Sequence, residues 1–204
     1  MESLIAIRSR EDGLLSDSDP PVELSTQYFV DYFANKYGNK GFKVARLGLN
    51  MMCVMDFLET HGIPLEEDYP FKGFNEHDME FSKCKAKMYR IDDYWFMEKP
   101  NQFQIMKKLV HQPLIAAVDP SKWYNDHTWK KDVIHRAKTS KYDYCLTHDI
   151  LIVGYGESKG IPFWVVRDSN GIGCGMGGYL KIHRGSNSFG IEQEIYYLII
   201  KKAY

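Results

Sequence analysis

The segment from Thr147 to Gly185 constrains the fold of this 204-residue chain more than any other. It contains two apolar runs joined by a glycine-bearing turn, followed by a glycine-rich loop and a third short run. His148 opens the first run and Asp168 ends the second, and two antiparallel strands would bring these ends side by side. An imidazole held by a carboxylate is the base half of a nucleophilic catalytic site. The function therefore depends on whether a nucleophile lies elsewhere in the chain.

The composition favours a globular protein and argues against several other classes. Hydrophobic residues make up 44% of the chain and charged residues 26%, which is typical of a folded domain and not of a disordered one. A formal net charge of -1 gives no electrostatic support for binding nucleic acid or an anionic membrane. No apolar run approaches the roughly 18 residues of a membrane helix. We expect no nucleic-acid or membrane partner.

The N-terminal stretch MESLIAIRSRED lacks the features of a secretory signal, because its apolar run is short and Glu2 stands where positive charge is expected. As written, the chain is predicted to be cytoplasmic. A lysosomal, vacuolar or secreted location is expected only if the N-terminus is incomplete.

The four cysteines, Cys53, Cys84, Cys145 and Cys174, form no CxxC motif and match no zinc spacing. Without a signal peptide the default is four reduced thiols. Cys53 lies in a predicted helix, where we expect it to be a small buried apolar residue. The seven histidines form no HExxH motif, so neither a metal nor a cofactor is predicted.

The first part of the chain is predicted to be helical. Apolar spacing indicates helices over Glu2–Ser9, Glu23–Phe33 and Asn50–Thr60. Ser25 is expected to cap the second helix, and Gly62 is expected to lie just past the end of the third.

The second part is predicted to be mostly β. The expected elements are a strand over Tyr89–Met97, a helix over Asn101–Val110, a strand over Pro113–Asp119, the strands of the segment from Thr147 to Gly185, and a last run over Ile195–Ile200. Trp123 and Trp129 are expected to cover this part. Segregated helices and strands predict an α+β protein, with a helical domain over 1–88 and a β domain over 89–204.

Several segments resemble papain-like cysteine peptidases, the group of plant thiol proteases and cathepsins. The segments HDILIVGYG, GIPFWVVRDSNG and GGYLKIHRGSNSFGIE are similar to the C-terminal half of that family. ELSTQYFVDY, EEDYPFKG and QPLIAAVD resemble its earlier segments in unbroken order, and MESLIAI resembles the end of its central helix. The resemblance implies a papain-like two-lobed fold, with an incomplete helical first lobe and an antiparallel β-barrel-like second lobe.

The resemblance places His148 at the position of the catalytic histidine and Asp168 at that of the orienting asparagine. An aspartate can also accept the imidazole N–H, and it would stabilise the imidazolium form. Asp149 stands where the family has a small residue. Asn170 and Cys174 occupy the positions of two loop tryptophans, and the polar Asn170 is expected to admit water and weaken the histidine–acid contact.

The nucleophile is the main departure from the family. In the family it lies in a QGSCGSCWAF-type motif at the start of the central helix, and this chain begins downstream of that point. No cysteine here has that context, and the glutamine of the oxyanion hole is missing with it. Cys174 lacks a helix N-terminus to lower its pKa, and Ser169 lacks a GxSxG elbow. Neither is predicted to replace the missing cysteine.

The disulfides that the resemblance implies are also disrupted. Asn39, Tyr32 and Phe189 stand at family cysteine positions, so Cys84 and Cys145 are left without their usual partners. None of the family's bridges is therefore expected to form.

The sequence thus predicts a papain-like homologue that is catalytically inactive as this chain. The alternative is an active cysteine endopeptidase whose N-terminal segment, with the nucleophile, is missing from this sequence. A third possibility is a non-functional remnant. The expected partners are a polypeptide in the interdomain groove and a protein that covers the exposed core.

Overall fold

The computed structural model describes residues 1–37, 50–73, 84–122, 132–137 and 144–201. The helices are α1 (Glu2–Glu11), α2 (Thr26–Tyr37), α3 (Met51–Thr60) and α4 (Gln102–Leu109). The strands are β1 (Asp93–Glu98), β2 (Leu114–Val118), β3 (Ile134–His135), β4 (His148–Ser158), β5 (Ile161–Arg167), β6 (Tyr179–His183) and β7 (Glu194–Ile199). Short 3-10 helices cover Pro120–Lys122 and Ser188–Gly190. The predictions for Asn39, Trp123 and Trp129 lie outside the described residues.

The chain divides into two compact units. One comprises Met1–Tyr94 with Leu198–Tyr204, and the other comprises Trp95–Tyr197. The domain boundary drawn from the sequence at 88 and 89 stays a prediction. No helix within the described ranges is both long and apolar enough to span a membrane.

The caps that the sequence indicates lie at the ends of helices in the first unit, although α1 (Glu2–Glu11) and α2 (Thr26–Tyr37) end later than predicted. The Ser25 hydroxyl accepts a hydrogen bond from the Tyr28 amide at 3.0 Å, which caps α2 as predicted. The Asn50 side chain accepts the Met52 amide at 2.9 Å and caps α3. Gly62 lies just past the end of α3 with a φ of 74°, in the left-handed region that glycine tolerates.

The prediction that Cys53 is buried is wrong, because its side chain is exposed. The buried face of α3 carries Met55, Phe57 and Leu58, and Cys53 lies outside that face. The helical spacing was right, but it did not show which side of the apolar stripe Cys53 occupies.

A buried polar network ties α2 to the extended segment that follows α3. Asp31, which is 1% exposed, accepts hydrogen bonds from the Gln27 amide at 3.0 Å and the Tyr69 hydroxyl at 2.8 Å. The Gln27 carbonyl oxygen accepts the backbone amides of Lys72 and Gly73 at 2.9 and 3.0 Å. Since these buried groups have partners, the network avoids the cost of isolated buried polar atoms.

The seven strands form one sheet in the order β1-β7-β2-β4-β5-β6-β3. The pairings of β2 with β4 and β7, of β4 with β5 and of β5 with β6 are antiparallel, whereas β3 pairs with β6 in parallel. The β4–β5 hairpin turns through Lys159 and Gly160, which have φ values of 51° and 77°. Positive φ at both positions is typical of a type I′ turn, whose twist matches that of the flanking strands.

One face of the sheet carries the core of the second unit. The fully buried members of that core are Ile105, Leu114, Ala116, Val118, Ile152, Trp164, Val166, Ile182, Ile191 and Ile195. The indole N–H of Trp164 donates to Glu192 Oε1 at 2.9 Å, so its polar atom is satisfied. Helix α4 begins with a reciprocal capping box between Asn101 and Gln104. This core fixes the register of β4 and β5, which carry the candidate site.

Element boundaries differ from the predicted ones where another segment competes for the backbone. The strand predicted to begin at Tyr89 begins instead at Asp93. Tyr89 exchanges two backbone hydrogen bonds of 2.9 Å with Ile63, so it pairs with the extended segment of the first unit. Helix α1 continues to Glu11, past the predicted end at Ser9.

Candidate active site

The sheet register places His148 and Asp168 near each other. His148 is the first residue of β4 and pairs with Val118 on β2. Arg167, the last residue of β5, pairs with Leu151 on β4, and Asp168 follows it directly. Continuing this register puts Asp168 diagonally across from the start of β4, within reach of a histidine side chain. The imidazole Nε2 and the Asp168 Oδ1 are 2.9 Å apart.

The carboxylate of this pair is buried, and the imidazole is partly exposed. The side chain of Asp168 is 0% exposed and that of His148 is 20% exposed. Oδ1 of Asp168 also accepts the Ser169 backbone amide at 2.7 Å, and Oδ2 accepts the Asn170 side-chain amide at 2.7 Å. The backbone amide of Asp168 donates to the carbonyl of Gly178 at 3.3 Å, which closes the glycine-rich loop.

These contacts keep Asp168 ionised despite its burial. Burial by itself raises the pKa of the carboxyl group, but hydrogen bonding and attraction from His148, with hydrogen bonds from Asn170 and Ser169, outweigh it. The net effect lowers the pKa of Asp168 below its usual value. Asp168 is therefore a carboxylate at neutral pH.

The ionised carboxylate sets the tautomer of His148. A carboxylate only accepts hydrogen bonds, so the bonded Nε2 of the imidazole must carry the proton. In the neutral ring Nδ1 then has the lone pair and can take a proton from a group placed beside it. The pair has the geometry of a general base with its orienting acid.

Asn170 makes a contact with Asp168 that the sequence did not predict. A polar residue at this position was expected to admit water and weaken the contact, yet the Asp168 side chain is fully buried. Asn170 is itself exposed, and its amide donates to the carboxylate oxygen that does not face His148. The available sequence signal was an asparagine two residues after an acid, which is within reach of a side-chain hydrogen bond.

Of the four cysteines, Cys174 lies in the same loop as Asp168, and it does not have the character of an activated nucleophile. All four are free thiols. Cys174 is half-buried against the sheet core, and burial followed by the negative charge of Asp168 raises its pKa. It is therefore protonated at neutral pH, which disfavours attack on a carbonyl. In the part of the chain that the structure describes, no three His, Cys, Asp or Glu side chains come together as a metal site.

The loop that carries Asn170 depends on glycine. Gly171, Gly175, Gly177 and Gly178 all have positive φ values, between 57° and 93°. A β-carbon at Gly175 would overlap the backbone carbonyl of Tyr179, so the loop closes more tightly than any larger residue allows. This closure presents Asn170 to the buried carboxylate.

Comparison with known sequences matches residues 3–199 to the family described as "Papain family cysteine protease". A low-temperature-induced cysteine proteinase of Solanum lycopersicum is 32% identical over 168 residues, which are 82% of this chain and 45% of that protein. Cathepsin W of Felis catus is 29% identical over 211 residues, covering 95% of this chain and 52% of the relative. The chain thus spans about half the length of these curated relatives.

Comparison with solved structures shows the same fold. A bromelain protease of Ananas comosus, solved with the E64 inhibitor, superposes with a TM-score of 0.72 at 22% identity. That match covers 98% of this chain and 85% of the solved one. A cysteine protease of Carica candamarcensis gives a TM-score of 0.71 at 19% identity over 100% of this chain and 87% of the other. The α+β architecture is therefore papain-like, as predicted.

Proposed function

Since this chain belongs to the papain family of cysteine proteases, we propose that by itself it is a catalytically inactive member. The observation that carries the proposal is a His148–Asp168 pair at 2.9 Å in a chain whose one cysteine near the acid, Cys174, has a raised pKa. None of the four cysteines has the sequence context of the family nucleophile. Cys174, which lies in the loop of the acid, has a raised pKa because of burial and the charge of Asp168.

The proposed role is to bind polypeptide without cleaving it. The support is the papain-like fold together with the retained site geometry. We also propose the second partner predicted from the sequence, a protein that covers core residues left exposed in this chain.

The test is an activity and labelling assay on the purified chain. We expect no turnover of a fluorogenic peptidyl substrate and no stoichiometric labelling by a thiol-directed epoxide at about pH 5–7, where a histidine base titrates. The low-temperature-induced cysteine proteinase of Solanum lycopersicum, to which this chain is 32% identical, serves as the active control. Turnover with stoichiometric labelling that His148→Ala abolishes would overturn the proposal, whereas hydrolysis that survives His148→Ala comes from a contaminant.

A second candidate function is favoured by the 2.9 Å contact between His148 and Asp168. An active cysteine endopeptidase would need this base and acid, with its nucleophile supplied by residues that precede this sequence in a longer protein. Reading the transcript upstream of the Met1 codon separates the candidates. An in-frame segment like QGSCGSCWAF supports the endopeptidase, and an in-frame stop codon excludes it.

A further inference from the structure

We propose that Asn170 is a positioning residue of the His148–Asp168 pair, whose side-chain amide holds the buried carboxylate with one oxygen facing the imidazole. Its Nδ2 donates to Asp168 Oδ2 at 2.7 Å. His148 Nε2 lies 2.9 Å from the other oxygen, Oδ1. The two contacts thus divide the carboxylate between them.

Hydrogen bonds to both oxygens matter because a carboxylate can rotate about its Cβ–Cγ bond. That torsion has a broad, roughly two-fold energy profile, so burial alone fixes the plane of the group only loosely. The Ser169 backbone amide holds Oδ1 at 2.7 Å, and Asn170 holds Oδ2 at the same distance. With both oxygens anchored, Oδ1 stays directed at Nε2 and keeps the proton of a neutral His148 on that nitrogen.

The backbone around Asn170 is shaped for this contact. Gly171 follows with a φ of 79°, which turns the chain sharply directly after Asn170. Before this turn, the amide of Asn170 reaches back to a residue only two positions earlier. Asn170 is exposed while the Asp168 side chain is 0% exposed, so the amide lies on the solvent side of the carboxylate.

The chemistry also couples the two residues. A carboxylate at 168 accepts from the Asn170 amide as an anion, which makes this hydrogen bond stronger than one to a neutral amide at 168. Asp168 and Asn170 are therefore suited to each other as acceptor and donor. The inference concerns the pair on which the proposed function rests, but it requires neither a nucleophile nor turnover, so the two proposals can fail separately.

The experiment is an NMR titration of the full chain carrying Asn170→Leu, which keeps the size of the side chain and removes the donor. The Asp168 carboxyl carbon reports its pKa, and the imidazole nitrogens of His148 report the tautomer at the alkaline end of the titration, once their shifts no longer change with pH. We expect the pKa of Asp168 to rise by about half to one pH unit and the Nε2–H form of His148 to lose population.

Three further variants make the result specific. Asn170→Asp adds a second negative charge and should raise the pKa of Asp168 further, while Asn170→Gln keeps an amide donor and should restore part of the effect. Ile172→Ala, at an 88% exposed position of the same loop, should change neither quantity. If Asn170→Leu leaves the pKa of Asp168 and the His148 tautomer at the values of Ile172→Ala, the proposal is wrong.

Discussion

Replacing Asp168 with asparagine, the residue at the corresponding family position, should destabilise this protein. The change keeps an oxygen for His148 and the Ser169 amide but converts Oδ2 into an NH2 group. That NH2 then faces the Asn170 amide, which donates at 2.7 Å in the native chain. The Asn170 amide can rotate and accept from the new NH2 group, so a hydrogen bond to a charged acceptor is replaced by a weaker one between neutral groups.

The expected cost at neutral pH is about 1–2 kcal/mol, because hydrogen bonds to a charged acceptor are stronger than those to a neutral one. The effect has a pH dependence of known sign. The folded-state pKa of Asp168 is lowered, so the carboxylate stabilises the fold above its unfolded pKa of about 3.9. This contribution is lost as pH falls through the folded-state pKa, because protonated Asp168 no longer binds its donors as an anion.

Urea denaturation at about pH 7 and about pH 3 measures this difference. We expect Asp168→Asn to be less stable than the native chain at pH 7, and the gap to shrink at pH 3. Glu157→Gln, which neutralises an exposed carboxylate on β4, should cost less than about 0.5 kcal/mol at either pH. An Asp168→Asn variant as stable as the native chain at pH 7, or a gap that widens at pH 3, would refute the reasoning.

Two more substitutions test the local structure. Asn101→Ala removes the cap of α4 and should cost about 1 kcal/mol in urea denaturation, while Asn101→Asp keeps an acceptor and should stay near the native value. An alanine variant as stable as the aspartate one would contradict the capping role. Gly175→Ala should cost at least about 2 kcal/mol, because alanine adds strain at a φ of 57° and a clash with the Tyr179 carbonyl. Gly173→Ala is the control, because its added β-carbon would meet no atom within 4 Å. Equal urea midpoints for the two variants would show that the Gly175 clash is not destabilising.

Helix caps, the hairpin turn and the order of elements could be predicted from the sequence, because they depend mainly on residues close together in the chain. Ser25 and Asn101 cap helices because their side chains accept amides two or three residues ahead. The Lys159–Gly160 turn pairs β4 with β5, and this hairpin accounts for His148 and Asp168 being close together. The order of elements and the segments similar to papain-like peptidases predicted the α+β fold that the solved relatives share.

Other features depend on contacts between residues that are distant in the chain, and the sequence did not predict them. Tyr89 pairs with Ile63 instead of beginning β1, and Cys53 falls on the exposed side of its helix. In the segment from Thr147 to Gly185, the sequence predicted the contact between His148 and Asp168 and indicated that Asn170 would weaken it. The folded loop instead directs the Asn170 amide at the buried carboxylate, and residue polarity alone does not reveal this contact because it depends on the path of the loop backbone.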